Sequence, residues 1–254
     1  MKFSGLVITF NEEKNIQACL ASLQQVCDDI VVVDSGSQDR TCELARAAGA
    51  TVVTSVPFLG DGPQRSHGLP FCQHDWVINL DADERLDDDL VAYLQSTDVS
   101  ALGVDAIENR RKNYIGQRTT PYAGQYPDYI CRIFNRTRTD FSPVFTHTRI
   151  MARNTRKIDQ HVIHYSYADY QDMFARCVKY GHWQGRTLAE RGKRVQGWQP
   201  VVHGVWTFIR LYVIKRGFLA GLDGFSIAKA KAVSSYLKYA VAWELQQTEQ
   251  QANR

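Results

Sequence analysis

Trp76-Val77-Ile78-Asn79-Leu80-Asp81-Ala82-Asp83-Glu84 is the stretch on which the fold turns. Five mostly apolar residues read as a buried strand, and the run then ends in two carboxylates one residue apart. A strand that delivers such a pair to the edge of a sheet suits a metal–diphosphate site. Asp-x-Asp alone is a weak signal, so the weight falls on what surrounds it.

Upstream, the same grammar repeats. Gly5-Leu6-Val7-Ile8-Thr9 reads as a first strand, with Asn11 placed to cap a helix reaching about Cys27. Ile16, Leu20, Leu23 and Cys27 recur at helical spacing. Ile30-Val31-Val32-Val33 is a continuous apolar run, as in a parallel strand covered on both faces. Asp34-Ser35-Gly36-Ser37 makes a turn, Ser37 or Asp39 caps the next helix, and Gly49 stops it. Thr51 to Thr54 is a third strand, and residues 64–74 form a short helix before the fourth. Asp28-Asp29 reads as a turn, and Asp87-Asp88-Asp89 as acidic groups in the first turn of a helix. Four strands alternate with three helices in 80 residues. The fold class is therefore α/β, an open, mostly parallel sheet with helices on both faces. Ligands bind beyond the carboxyl ends of such strands. Thr9-Phe10-Asn11-Glu12, Asp34-Ser35-Gly36 and Asp81-Ala82-Asp83 all lie there.

Downstream of Leu102 the pattern changes. Asp105–Glu108, Tyr129–Phe134 and Thr148–Met151 read as extended pieces around a Gly/Pro/Tyr-rich loop, 114–128. Residues 167–191 and 225–247 read as helices, and Val205 to Phe218 has a basic amphipathic profile. That profile fits a membrane interface or packing on the domain equally. The expected division is residues 1–160 as the nucleotide-sugar domain and 161–254 as a helical, basic acceptor or membrane side.

Charge follows the same division. Residues 1–104 hold 16 Asp/Glu against 6 Lys/Arg, and 105–254 hold 11 against 24, within a formal net charge of +3. A basic second half suits an anionic partner. No nucleic-acid motif occurs there, so nucleic acid is not expected. The six cysteines have no CxxC spacing, which points to a reducing compartment and away from structural zinc. The first residues do not read as a signal peptide, and no window holds 18 uninterrupted apolar residues. Walker, dinucleotide and Gly-x-Ser-x-Gly signatures are missing, which removes the usual support for ATP hydrolysis, hydride transfer and serine hydrolysis.

The polar clusters meet the needs of a nucleotide-sugar donor. Glu12 and Asp34 suit a uracil N–H or ribose hydroxyls, and Gly36 lets the backbone pass close to a ligand. Asp83, with Asp81 beside it, offers hard oxygens to Mg²⁺ or Mn²⁺. Arg65 is a possible phosphate contact. His161 and His164 would share a metal only on a helix. Val162 and Ile163 favour a strand, where the two point to opposite sides.

Ile8 to Ile16, Cys19 to Leu23, Ile30 to Thr41 and Trp76 to Glu84 together resemble glycosyltransferase family 2, of the GT-A fold. Gly62-Pro63-Gln64-Arg65, Asn113 to Gly116, Tyr126 to Phe134, His164 to Tyr167 and Arg216 to Gly221 look like its lipopolysaccharide-core glucosyltransferase group. That resemblance implies an inverting enzyme with a UDP-sugar donor, Mg²⁺ or Mn²⁺, and a heptose or Kdo acceptor in the inner core of lipopolysaccharide. It implies work at the cytoplasmic face of the inner membrane, as a peripheral protein. Carried over, Thr9, Asn11, Glu12 and Asp34 hold the uridine, and Asp81 and Asp83 the ribose and metal–diphosphate. Two departures stand out. His147-Thr148 replaces a His-Glu pair, and Ala220 replaces an aspartate.

Inversion needs a base for the acceptor hydroxyl. Asp128, fixed between Pro127 and a strand, is the first choice, and Asp140 and His147 follow. Arg132, Arg149, Arg153, Lys179, Arg186, Arg191 and Arg194 are open candidates for acceptor phosphates. The alternative function is a membrane-associated polyanion or glycan-binding scaffold with a degenerate site.

Overall fold

The computed structural model describes residues 2–142 and 148–252. The chain divides into two compact units: residues 1–112 with 128–164, and residues 113–127 with 165–254.

The strands are β1 (Phe3–Thr9), β2 (Cys27–Asp34), β3 (Thr51–Thr54) and β4 (Trp76–Asp81), followed by β5 (Glu84–Leu86), β6 (Ala106–Ile115), β7 (Arg118–Thr119), β8 (Tyr129–Asn135) and β9 (Thr155–Tyr167); all lie in the first unit except β7 and the last residues of β6 and β9. The order is β3-β2-β1-β4-β8-β6-β9-β5, with β7 paired to β6. The first four strands are parallel, as their apolar runs imply. From β8 onward the recorded pairings are antiparallel.

Alternation along these strands sends side chains to two cores. Phe3, Val7, Val32, Ile78 and Leu80 pack with Ile16, Leu20 and Leu23 of α1 (Ile16–Leu23) and Leu90 and Leu94 of α4 (Asp88–Ser96). Ala45 of α2 (Thr41–Ala47) joins that face. Leu6, Val31, Val33, Val77 and Phe134 line the other. There Gly68, at the end of α3 (Asp61–Gly68), lets the helix close on Leu6 and Val33. Each such side chain is worth roughly 1.5–3 kcal/mol of burial.

Several local expectations change. Asn11 does not cap α1, which begins only at Ile16. The Glu12 carbonyl accepts the first amides instead. Asp39 does accept from the Thr41 amide at the start of α2, at 3.0 Å. Asp28 and Asp29 lie inside β2, where buried Asp29 accepts from Ser4 Oγ and the Gln73 amide. Asp87 caps α4 through the Asp88 amide, so the acidic run there is a helix start as expected. The extended piece read at 148–151 is only a bridge, Phe141 to Ile150, and the long strand comes later as β9.

The second unit is helical: α5 (Tyr170–Glu190), α6 (Gln199–Ile209), a π-helical turn at Arg210–Ile214, a 3₁₀ turn at Gly217–Ala220, and α7 (Gly221–Ala252). Asp169 caps α5 through the Asp172 amide. Residues 113–127 belong to this unit. Ile115 and Ala123 are buried with Met173, Cys177, Ile227 and Ala230. Asp223 ties the pieces together, accepting from Arg118 at 3.2 Å and from the Tyr170 hydroxyl at 2.5 Å.

Candidate active site at the ends of the parallel strands

β1, β2 and β4 end side by side. Thr9 sits opposite Asp34, and Ile8 opposite Asp81, so the three polar clusters share one edge. Three short elements hold that edge in place.

The loops after β1 and β2 are stitched together. The Asn11 amide donates to Ser37 Oγ at 2.9 Å, and Asn11 Oδ1 accepts from the Gln38 amide at 2.8 Å. Asn11 has φ 55°, a region asparagine tolerates better than most residues. The Glu12 amide donates to Thr41 Oγ1 at 2.8 Å, while Glu12 Oε2 accepts from Asn15 Nδ2 at 2.7 Å. Asp34 is buried and folds its own turn. Its carboxylate accepts from the Gly36 and Ser37 amides at 2.8 and 2.9 Å and from Ser37 Oγ. Gly36, at φ 92°, takes the left-handed conformation this turn requires. Beneath them Thr9 Oγ1 is buried with no hydrogen-bond partner among the described residues. An orphaned hydroxyl at a strand end is unusual and fits a ligand-facing position.

At the end of β4 a chain of alternating charges runs through the protein. Arg65, from α3, donates to Asn79 Oδ1 at 2.7 Å and pairs with Asp81. Asp81 accepts in turn from Arg132 Nη2 at 2.6 Å, and the same nitrogen reaches Glu84 Oε1 at 2.6 Å. Glu84 also meets Arg111 at 3.4 Å. Arg111 closes on Asp128 with two contacts, 2.9 Å from Nε and 2.8 Å from Nη2. Burial pushes the Asp81 carboxyl up, but Arg132 and then Arg65 outweigh it and hold the group far below the usual carboxylate range. Burial likewise works against the Arg132 cation, and Asp81 and Glu84 raise it above its ordinary value.

Asp83 lies next to this chain. Its Oδ2 is 3.6 Å from His164 Nε2 on β9. A carboxylate oxygen and an imidazole nitrogen at that separation suit two ligands of one divalent ion. His161 points the other way, as a strand requires. Its Nδ1 is 2.5 Å from Asp89 Oδ2, and the ligand atoms of Asp87, Asp89 and His161 all lie within 4.8 Å of one another. That second cluster already holds a cation, because Lys112 Nζ sits 2.5 Å from Asp87. Asp140 accepts from Ser66 Oγ at 3.0 Å and from the Phe141 amide at 2.6 Å. His147 lies outside the described residues.

The sequence-derived residues thus fall into three groups. Thr9, Asn11, Glu12 and Asp34 form one rim, Arg65, Asp81 and Asp83 the next, and Asp128 ends the charge chain. Glu84 and Arg111 were not singled out from the sequence, and His164, weighed there only as a metal partner of His161, lies instead beside Asp83. Arg132, read as a possible acceptor contact, is buried between carboxylates.

The glycosyl transferase family 2 profile matches residues 4–163, which contain all of these residues except His164, one position beyond its end. The chain belongs to glycosyl transferase family 2. It is 28% identical over 256 residues to an uncharacterized glycosyltransferase of Rickettsia bellii, covering 96% of this chain and 87% of that one. It is 27% identical over 252 residues to the lipopolysaccharide core biosynthesis glycosyltransferase LpsC of Rhizobium meliloti, covering 96% and 93%. The fold is also that of S. aureus TarS 1-349, with a TM-score of 0.50 at 18% identity over 98% of this chain and 92% of that one. For a family 2 chain, the polar edge of β1, β2 and β4 is where a donor is expected to sit.

Proposed function

We propose that this family 2 protein transfers a hexose, glucose first among them, from a UDP-sugar to a heptose or Kdo of an inner-core lipopolysaccharide, with inversion. The observation that carries it is the shared edge on which orphaned Thr9 Oγ1 and the Asp83–His164 pair lie beside the Asp34 turn and the Arg65–Asp81 pair. The relative from Rhizobium supports the acceptor class.

In this account Thr9, Asn11, Glu12 and Asp34 receive the uridine. Arg65 and Asp81 set the ribose and diphosphate side. Asp83, with His164, would hold Mg²⁺ or Mn²⁺, whose positive charge would supply stabilisation to a departing diphosphate. An acceptor hydroxyl attacks C1, the C1–O bond to the diphosphate breaks, and Asp128 takes the hydroxyl proton. Arg111 fixes the orientation of Asp128. Residues 1–160, joined by His164, form the donor part, and the rest of 161–254 serves the acceptor at the cytoplasmic surface of the inner membrane.

Titration calorimetry with UDP and Mn²⁺ tests the donor part. Asp83→Ala should abolish metal-dependent UDP binding while the circular dichroism spectrum stays unchanged. Retained binding would remove Asp83 from the metal. For the base, Asp128→Asn should lower kcat by about 10²–10⁴-fold with UDP affinity intact. A normal rate would move the role elsewhere.

A further inference from the structure

Helix α6 is amphipathic in the reverse of the usual sense. Its packed side is small: a Cβ on Gly204 would meet Tyr236 Cβ of α7 at 3.2 Å, and His203 stacks on Tyr239 with centroids 3.9 Å apart. Apart from Phe208, which packs on Phe225 with centroids 5.8 Å apart, its large apolar side chains and that of Trp198 just before it are exposed. Trp198, Val201, Val202, Val205, Trp206 and Ile209 are each 40–57% exposed. At 3.6 residues per turn they fall within an arc of about 140°. Ile214, Leu219 and Leu222 extend the exposed apolar surface into the next turns. Soluble proteins rarely show such a contiguous patch unless something covers it.

Charge indicates what covers it. From Arg191 to Leu222 there are six Lys/Arg and no Asp or Glu. Arg210, Lys215 and Arg216 are exposed at the end of the apolar stripe. A second copy of this chain would set the same basic flank against itself, since a twofold contact pairs identical patches. An anionic surface that also accepts apolar side chains meets both requirements. Two exposed tryptophans suit the level of lipid headgroups. Among the described residues, no helix is long and apolar enough to cross a membrane.

We propose that the outer face of α6, continued to Leu222, is an in-plane anchor that seats this unit in a bilayer surface bearing anionic headgroups. This deepens the membrane part of the proposed function and names the surface responsible. The apolar stripe enters the boundary between headgroups and acyl chains, roughly 5–10 Å deep for helices of this kind. The Lys and Arg side chains reach back to phosphates.

The test is flotation of the full chain with vesicles of phosphatidylcholine alone or with phosphatidylglycerol. Binding is expected on the anionic vesicles, with tryptophan emission shifted to the blue and quenched by brominated acyl chains. Val205→Asp with Ile209→Asp, both on exposed positions, should reduce the bound fraction by about tenfold with helix content unchanged. Arg210→Ala with Lys215→Ala should remove the preference for anionic vesicles. Absence of binding to either vesicle, or binding unaffected by the double aspartate variant, would overturn the proposal. So would a lipid-free dimer, seen by light scattering, that the same variant dissociates. UDP–Mn²⁺ binding measured on the same samples without lipid keeps a failure of the donor assignment separate from a failure of the anchor.

Discussion

Arg132 Nη2 touches Asp81 and Glu84 at 2.6 Å each, and that one atom organises much of the site. Glu84 and Arg132 are buried, while Asp81 keeps 31% of its side chain exposed, so an unpaired charge is costliest at the Glu84–Arg132 pair. Glu84→Gln is therefore expected to destabilise the protein by about 3–5 kcal/mol, as for breaking other buried pairs, read from urea unfolding. The pH dependence has a defined sign. The Asp81 carboxyl titrates lower in the folded protein than in the unfolded chain, so its stabilisation is present above the unfolded value of about 4 and is lost as pH falls below it. The stability gap between wild type and Asp81→Asn should stay flat from about pH 8 to 5 and narrow below about 4. A gap that widens in acid would contradict this. Asp81 and Asp83 were legible in the sequence because they end an apolar run. Arg132 was not, because its partner is 51 residues away and meets it only through the antiparallel pairing of β8 with β4. The partner of His164 was hidden for the same reason: β9 pairs with β5, placing His164 opposite Glu84 and beside Asp83 rather than with His161.

Elements differed in how openly they announced themselves. β1, β2 and β4 are covered on both faces, so each carries a buried apolar stretch, such as Ile30 to Val33 in β2, and that stretch is the signal. β9 is buried only at Ile158 and Val162 and includes Arg156, Lys157, Asp159 and two histidines, which masks a 13-residue strand. The loop expected over 114–128 is partly strand, because β6 extends to Ile115 and Arg118–Thr119 folds back on it. Within the helical unit, α5 meets α7 through Gly181 and Gly185, four residues apart. An added Cβ would lie 2.7 Å from the Ser234 carbonyl at the first and 2.7 Å from Val241 Cβ at the second. Gly181→Ala and Gly185→Ala should each cost about 1–3 kcal/mol through overpacking, despite alanine's better helix propensity. Thermal unfolding decides the sign. A stabilised variant would show that the helices separate without penalty.

Across the whole molecule, the acidic first part and basic second part correspond to different physical tasks. In the proposed function, an acidic edge gathers carboxylates for a cation, and a basic helical part favours an anionic surface. If the anchor on α6 works as proposed, raising salt should weaken binding to phosphatidylglycerol vesicles several-fold, because the screening length falls from about 10 Å at 0.1 M to about 3 Å at 1 M. Co-sedimentation across a salt series measures it, and salt-independent binding would assign the attachment to the apolar stripe alone. The sequence by itself determined the α/β alternation, the three polar clusters at strand ends and the family they resemble. These depend on neighbours a few residues apart, where side-chain period and apolar runs are direct physical signals. Only the tertiary structure decided that Asp81 is locked between two arginines, that His164 joins Asp83, and that the apolar side of α6 faces outward. Each of those depends on which distant strand or helix lies alongside, and on which face of an element is already occupied by a packed neighbour.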